Sequence, residues 1–378
     1  MLTLRTHTAL GAFDAAEWDA LASSDNPFVS YAFLSGLETH GCVREAFGWR
    51  AQHLALYEDS ALTGALPLYL KGNSHGEYVF DWSWAHAWQR AGRDYYPKLL
   101  CAVPYSPVTG PRLLAGTPAQ RRLLAEALVQ LTHEVELSSA HVNFLPEDEL
   151  GAFDERWLTR FDWQFHWRND QGWRDFGDFL DALNHKRRKA IRHERAQVAH
   201  AGVACEFRDG RALSASEWRT MHDLYLSTFE EKGNTPTLTR AFFLHLGRAV
   251  PSRSHVAFAR RDGAVIAGAL FLSSSDTLYG RYWGARESVP GLHFELCYYQ
   301  GIEYCLRAGL TRFEPGAQGE HKLSRGFLPV RTHSRHYIAD ERFRDALRSA
   351  LQREAVMMES YGAELLQHSP FAQREAHA

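Results

Sequence analysis

The feature that most limits what this chain can become is a pattern that occurs twice. His53-Leu-Ala-Leu-Tyr-Glu58 is a short alternating run, followed by Asp59-Ser60 and then Gly64-Ala-Leu-Pro-Leu-Tyr-Leu70. Much later, His255-Val-Ala-Phe-Ala-Arg260 is followed by Asp262-Gly263 and Gly268-Ala-Leu-Phe-Leu272. Each reads as strand, tight turn, strand, and Asp-Gly is a strong signal for a two-residue hairpin. Both second strands begin Gly-Ala-Leu. Chance similarity between hairpins is the competing explanation. Their matching places in the two halves of a 378-residue chain fit duplication of a domain better.

The second half extends the pattern. Thr277-Leu-Tyr-Gly-Arg-Tyr-Trp283 reads as a third strand, rich in aromatic residues suited to a pleated surface. Phe294, Cys297, Tyr298, Ile302, Cys305 and Leu306 recur at helical spacing and predict a helix over Phe294 to Arg307, with Gly309 as its stop. Thr311 to Glu314 is then a short strand closed by Pro315-Gly316. The expected fold class is α/β (α+β), with a mixed sheet flanked by helices in each half. The expected domains are 1–170 and 171–378. A helix is expected from about Asp178 to His200, with Phe179, Leu180, Leu183, Ala190, Ile191 and Val198 on one face. Arg188, Arg192 and Arg195 are expected on the opposite one.

Composition excludes several classes. Lys and Arg total 42 against 45 Asp and Glu, a formal net charge of -3, so nothing marks a dedicated nucleic-acid binder and no DNA partner is expected. The five cysteines (Cys42, Cys101, Cys205, Cys297, Cys305) are scattered, which fits reduced thiols. Cys297 and Cys305 fall on the apolar side of the expected helix and read as core. The first residues lack the apolar stretch of a secretion signal, and no segment is long and apolar enough to span a bilayer. A cytoplasmic location is expected. There is no Gly-x-Ser-x-Gly elbow, Walker loop or His-Glu-x-x-His helix. No metal site is expected, since His333 and His336 fall on opposite faces of an expected strand.

Several segments together resemble a known family. They are Asn26-Pro-Phe-Val-Ser-Tyr-Ala-Phe-Leu34, Tyr95-Tyr-Pro-Lys-Leu-Leu100, Val103-Pro-Tyr-Ser-Pro-Val-Thr-Gly-Pro-Arg-Leu113 and Lys186-Arg-Arg-Lys-Ala-Ile-Arg192. To these add Phe313-Glu-Pro-Gly-Ala-Gln-Gly-Glu-His-Lys322 and Arg325-Gly-Phe-Leu-Pro329, the most specific of the set. The pattern resembles the FemAB-like branch of the GNAT-type acyltransferases, bacterial proteins of peptidoglycan biosynthesis or recognition. The resemblance implies two tandem GNAT-like domains, the C-terminal one carrying the active site. It implies N-acyl transfer from an activated donor to an amine on a cell-wall precursor or small metabolite. Aminoacyl-tRNA, acyl-CoA and acyl-carrier protein stand as donors, with no tightly bound cofactor. The chain lacks an extended charged heptad arm, which weighs against tRNA. In Gly284-Ala-Arg-Glu-Ser-Val-Pro-Gly-Leu292 it also lacks the close glycines of a pyrophosphate-binding turn, which weighs against ordinary CoA use. The alternative is a non-catalytic protein of this fold that binds peptidoglycan fragments.

Amide formation needs a neutral amine, a polarised carbonyl and placement of the two. The expected catalytic residues are Glu314, Glu320, His321 and Lys322. Glu314, Glu320 or His321 can accept the amine proton, while Lys322 and Arg325 can hold an anion or steady a developing oxyanion. A plain turn with solvated Glu320, His321 and Lys322 is the competing reading. Gln318, Arg325, Tyr282, Trp283, Asn26 and Tyr31 are the expected substrate contacts. Tyr282 and Trp283, like Trp82, Trp84 and Trp88, also read as packing, and Asn26 or Ser30 as the cap of a helix beginning near Tyr31. The basic run Lys186, Arg187, Arg188, Arg192 and Arg195, with Lys189, is either a solvated face or a binder of donor phosphate.

Overall fold

The computed structural model describes residues 1–22, 25–317 and 319–372. The chain forms two compact units: Met1–Asp162 with Arg331–Ser360, and Trp163–Val330 with the chain from Tyr361. This departs from the expected single cut between 170 and 171. The reason is a strand pairing distant in sequence, which leaves no local signature.

The first unit holds β1 (Leu2–His7), β2 (Trp49–Ala51), β3 (His53–Glu58), β4 (Ala61–Leu66), β5 (Leu68–Lys71), β6 (Lys98–Cys101), β7 (Leu114–Ala115) and β8 (Ser139–Leu145). One sheet runs β1-β3-β4-β7. In the other, β2, β5, β6 and β8 are neighbours in that order, and β8 pairs with His333–Ile338, late in the chain. The second unit holds the end of β9 (Leu158–Arg168), then β10 (Ala204–Asp209), β11 (Ser254–Arg261), β12 (Ala264–Ser273), β13 (Thr277–Ala285) and β14 (Arg312–Glu314). Its sheet order is β10-β11-β12-β13-β14-β9, with β13 and β14 parallel. β15 (Leu328–Ile338) begins in the second unit and supplies the strand that completes the first.

The repeated hairpins form as expected. Asp59 and Ser60 have φ of 48° and 83°, and Asp262 and Gly263 have 50° and 79°. Both turns are therefore left-handed at both positions, matching the twist of the flanking strands. Gly64 stands opposite Leu56, and Gly268 opposite Phe258. The copies diverge at Pro67, which falls between β4 and β5 where the first copy changes sheet, while β12 runs on unbroken.

The expected helix over Asp178 to His200 is two helices, Phe176–Ala182 and His185–His200. Leu183 is extended, and Asn184 caps the second helix by accepting from the backbone N–H of Arg187 at 3.1 Å. An asparagine can hydrogen-bond the backbone in a non-helical state, so it starts a helix more readily than it continues one. The face assignment also changes. Arg188, Ile191, Arg195 and Val198 share one stripe, with Ile191 and Val198 buried, while Ala190 and Arg192 are exposed. Spacings of three, four and seven put these residues together, not opposite. The cysteines are free among the described residues, and Trp84 and Trp88 pack with Tyr95 and Ile338 in the first unit's core.

Candidate active site

The second unit's sheet opens where its parallel strands part. β13 and β14 pair from Thr277↔Arg312 to Tyr279↔Glu314. Beyond that point the chain leaves β14 at Pro315, whereas β13 continues to Ala285 beside β12. Gly280 makes the departure possible, because a Cβ there would lie 3.2 Å from the Cα of Pro315. The β12–β13 register shifts so that Leu270 faces Tyr282 and Phe271 faces Gly280, leaving Arg281 as the extra residue of a bulge.

A cavity of about 220 Å³ lies at this opening. Its walls come from β12 and β13, from Phe229 and Lys232 at the end of the Ala215–Glu231 helix, and from His293, Cys297, Tyr298 and Pro315. The expected contacts Tyr282 and Trp283 line it, inside the second unit. The helix is seated by Gly284, where a Cβ would come within 1.6 Å of the Leu224 carbonyl oxygen, and by Thr228 Oγ1 donating to the Trp283 carbonyl at 2.6 Å. Gly284 thus belongs to β13 and serves a close approach. Gly291 is likewise packed, at φ 81°, against the Glu194 carbonyl. Neither glycine forms a phosphate turn.

After β13 the chain is helical over Leu292–Phe294, takes a π turn over Glu295–Tyr299, and resumes as Gln300–Ala308. The wider turn carries an extra residue and breaks the 3.6 periodicity. It sets Leu296 and Tyr299 in the core, while Tyr298 and Cys297 pack with that core and also line the cavity. Cys297 thus has the core packing expected of it and forms part of the cavity wall as well. Burial pushes its thiol far up, so it is a poor nucleophile.

Glu314 ends β14 with its side chain 13% exposed. Its Oε2 is buried without a hydrogen-bond partner among the described residues, and His166 Nδ1 lies 3.9 Å from Oε1. Burial raises its carboxyl to about 8, against the opposing pull of Arg312 and Arg281. The six-residue turn Glu320–Arg325 follows. Lys322, 2% exposed, donates from Nζ to the Gly316 carbonyl at 2.5 Å. Burial lowers its ammonium to about 8, with the Cys297 sulfur raising it slightly.

The other sequence candidates divide. His321 lies next to Tyr298, whose hydroxyl is 2.8 Å from Nε2. Glu320 is exposed and accepts from the Tyr361 hydroxyl at 2.6 Å. Gln318 lies outside the described residues. Arg325 is a brace: it donates to Glu194 at 2.6 Å, to Tyr299 Oη at 3.1 Å and to the His321 carbonyl at 2.8 Å. Its guanidinium also lies 3.4 Å from the Phe294 ring centroid. On the basic helix, Arg195 pairs with Glu295 and Glu303, and Arg188 with Asp181; Lys186, Lys189 and Arg192 are exposed and Arg187 half-buried.

Asn26 and Tyr31 lie in the first unit. Of the two expected caps, Ser30 caps the helix Tyr31–Thr39, while Asn26 caps the separate turn Pro27–Val29. Tyr31 lines a separate cavity of about 670 Å³ with Ser35, Glu38 and Arg44. The first unit also has a parallel pair, β6 and β8, but Arg112 fills the ground beyond it. This arginine is fully buried and donates to the carbonyls of Asn143, Gly110, Pro111 and Val108.

Sequence reasoning missed His293, Lys232 and Arg281. None stands in a motif, and what assembles them is the bulge in β13 together with the end of a helix from earlier in the chain.

Comparison with known proteins bears on the fold and the family. The model of the FemAB-like family, described as peptidoglycan biosynthesis/recognition, matches residues 9–373. Among solved structures, FemX aligns at 12% identity and a TM-score of 0.52, over 89% of this chain and 98% of its own. The C-terminal domain (DUF2156) of a putative lysylphosphatidylglycerol synthetase from Agrobacterium fabrum aligns at 11% and 0.53, over 90% and 96%. L-PGS from Bacillus licheniformis aligns at 9% and 0.50, over 84% and 93%. These are likenesses of fold. No curated protein matches in sequence. The chain belongs to the FemAB-like family.

Proposed function

We propose that this FemAB-like protein is an N-acyltransferase, moving an acyl or aminoacyl group from an activated ester or thioester onto an amine in the second unit. One observation carries the reading. Beside the cavity, where β13 and β14 part, stand a buried amine on Lys322 and a buried carboxyl on Glu314, both held near pKa 8. The amine nitrogen attacks the donor carbonyl, the C–O or C–S bond breaks, and the alcohol or thiol leaves with the proton that Glu314 has taken from the amine. Lys322, shielded from water, donates a hydrogen bond to the oxygen as it gains charge. Glu314 takes the proton that the amine loses, since a base with a pKa near the working pH is well matched to transfer. His321, more exposed and turned toward Tyr298, is the poorer base of the pair.

The cavity is smaller than the roughly 300–1,000 Å³ of sites that swallow a drug-sized ligand. It suits the transferred group or the acceptor's reacting end, with the rest of each substrate outside. The exposed cations Lys186, Lys189 and Arg192, with Arg187, are the groups in this reading that hold an anionic donor or carrier. The first unit, with its parallel pair plugged by Arg112, is the non-catalytic half.

The test is a transfer assay with acetyl-CoA, a long-chain acyl-CoA and charged tRNA side by side, using a muropeptide amine as acceptor. Product that depends on Lys322 supports the reading and identifies the donor. Tight muropeptide binding with no product from any donor makes the protein a cell-wall-fragment binder instead.

A further inference from the structure

We infer that the cavity beside β13 takes a small carboxylate, selected by the charge of Arg281 and Lys232. The inference deepens the acyl-transfer reading and rests on it for the carboxylate's place in a reaction; the charge selection stands on the cavity walls. Among the described residues that line the cavity, the charged ones are Lys232 and Arg281, and none is acidic. Arg281 is the bulge residue of β13, so the extra residue in that strand is what carries a guanidinium to the opening. Its charged end lies 5.3 Å from the Tyr282 ring centroid, and Tyr282 is itself a wall residue.

His293 also lines the cavity. It stands edge-on to Trp283, with ring centroids 5.2 Å apart. Its imidazole is pushed down to about 4, first by burial and then by His321, Arg325, Lys232 and Lys322. Of the nearby carboxyls, Glu194 is paired with Arg325, and Glu314 is raised to about 8 by burial. A ligand entering at pH 7 therefore meets a wall whose charged groups, among the described residues, are both cations. The free ammonium of an aminoacyl group is repelled there, and a carboxylate is drawn in. The guanidinium's planar fork suits a carboxylate's two oxygens.

The volume, about 220 Å³, suits a small organic group. Two sources present this chemistry: an acyl arm ending in a carboxylate, or an α-amino acid acceptor whose amine lies beside its own carboxylate. The experiment titrates the full chain at pH 7 with succinate against succinamide, and glycine against glycinamide, followed by NMR or thermal shift. Wild type, Lys232→Gln and Arg281→Gln are compared, each with its melting temperature. In the favoured pair the carboxylate should bind about tenfold tighter than its amide, the size expected of one charge-assisted contact. That ratio should fall toward one in Arg281→Gln and partly in Lys232→Gln, whose exposed side chain spares the fold. Preference for succinate assigns the acyl arm, and preference for glycine assigns the acceptor. Equal affinities, an unchanged ratio in both variants, or no binding of either carboxylate at millimolar concentration overturns the inference. Turnover is read separately: its absence with every donor removes the transferase reading while a measured charge preference stands.

Discussion

The ammonium of Lys322 donates back across its own loop to the carbonyl of Gly316, at 2.5 Å, and so holds a nearly buried cation at the mouth of a parallel strand pair. One hydrogen bond to a neutral acceptor is little compensation for burying a charge, which is why its pKa falls to about 8.

That depression has a measurable sign. Between about pH 8 and the ordinary lysine range, the unfolded chain binds a proton that the folded one does not. Stability therefore rises with pH across that window. Lys322→Met should flatten this rise and raise the melting temperature at pH 7, while transfer falls by roughly 10²-fold or more, the cost of losing an oxyanion donor. Calorimetry from pH 7 to 10.5 and single-turnover kinetics measure the two effects. A variant as active as wild type would remove Lys322 from the chemistry.

Glu314 runs the other way. Its folded pKa, about 8, lies above the unfolded carboxyl range, so its contribution is complete below about pH 4.5 and is lost as pH rises through 8. Glu314→Gln, neutral at all pH, should remove that decline in a melting series. As the proposed base, Glu314 should also make kcat/KM climb with pH up to about 8. In the glutamine variant this limb should disappear with the activity; a persisting limb assigns the proton to another group.

Arg325 and Glu194 form a part-buried ion pair, joined by the hydroxyl of Tyr299. Removing one partner leaves the other charge without its counter-ion. Glu194→Gln or Arg325→Met should each cost about 3 kcal/mol, and the double variant less than the sum. Denaturant melts of the four-member cycle measure this coupling. A loss in donor affinity with stability intact would instead make Arg325 a substrate contact.

Gly284→Ala sets a methyl group against the Leu224 carbonyl, where 1.6 Å is available. The Ala215–Glu231 helix must move away from β13, costing about 1–3 kcal/mol or more. Thr228, Phe229 and Lys232 ride on that helix, so the cavity should loosen with it. Gly263→Ala, in the β11–β12 turn at φ 79° with open space around it, is the control: it should cost stability without touching the site.

Local chemistry made much of this legible. Asp59-Ser60 and Asp262-Gly263 marked both hairpins, and the apolar spacing from Phe294 to Leu306 marked a helix. What escaped depends on single residues or distant partners. Asn184 divides a helix because its side chain outbids one turn of backbone bonding. The π turn at Glu295–Tyr299 is one residue of slippage inside a valid helical pattern. Arg188 and Arg195 flank Ile191, so they are drawn into ion pairs and contribute less free charge than the run of basic residues advertises. At the site, Glu314 and Lys322 stood out in a motif. The charged walls, Arg281 and Lys232, did not, because a bulge and a helix end brought them together.

The strand that closes the first unit's sheet, His333–Ile338 against β8, is made only after Trp163–Val330, the larger part of the second unit, has been synthesised. Until then β8 has an unfilled edge, and the early half of the protein waits as an incomplete sheet open to wrong partners. Cutting the chain near residue 170 should yield a sticky fragment rather than a free domain.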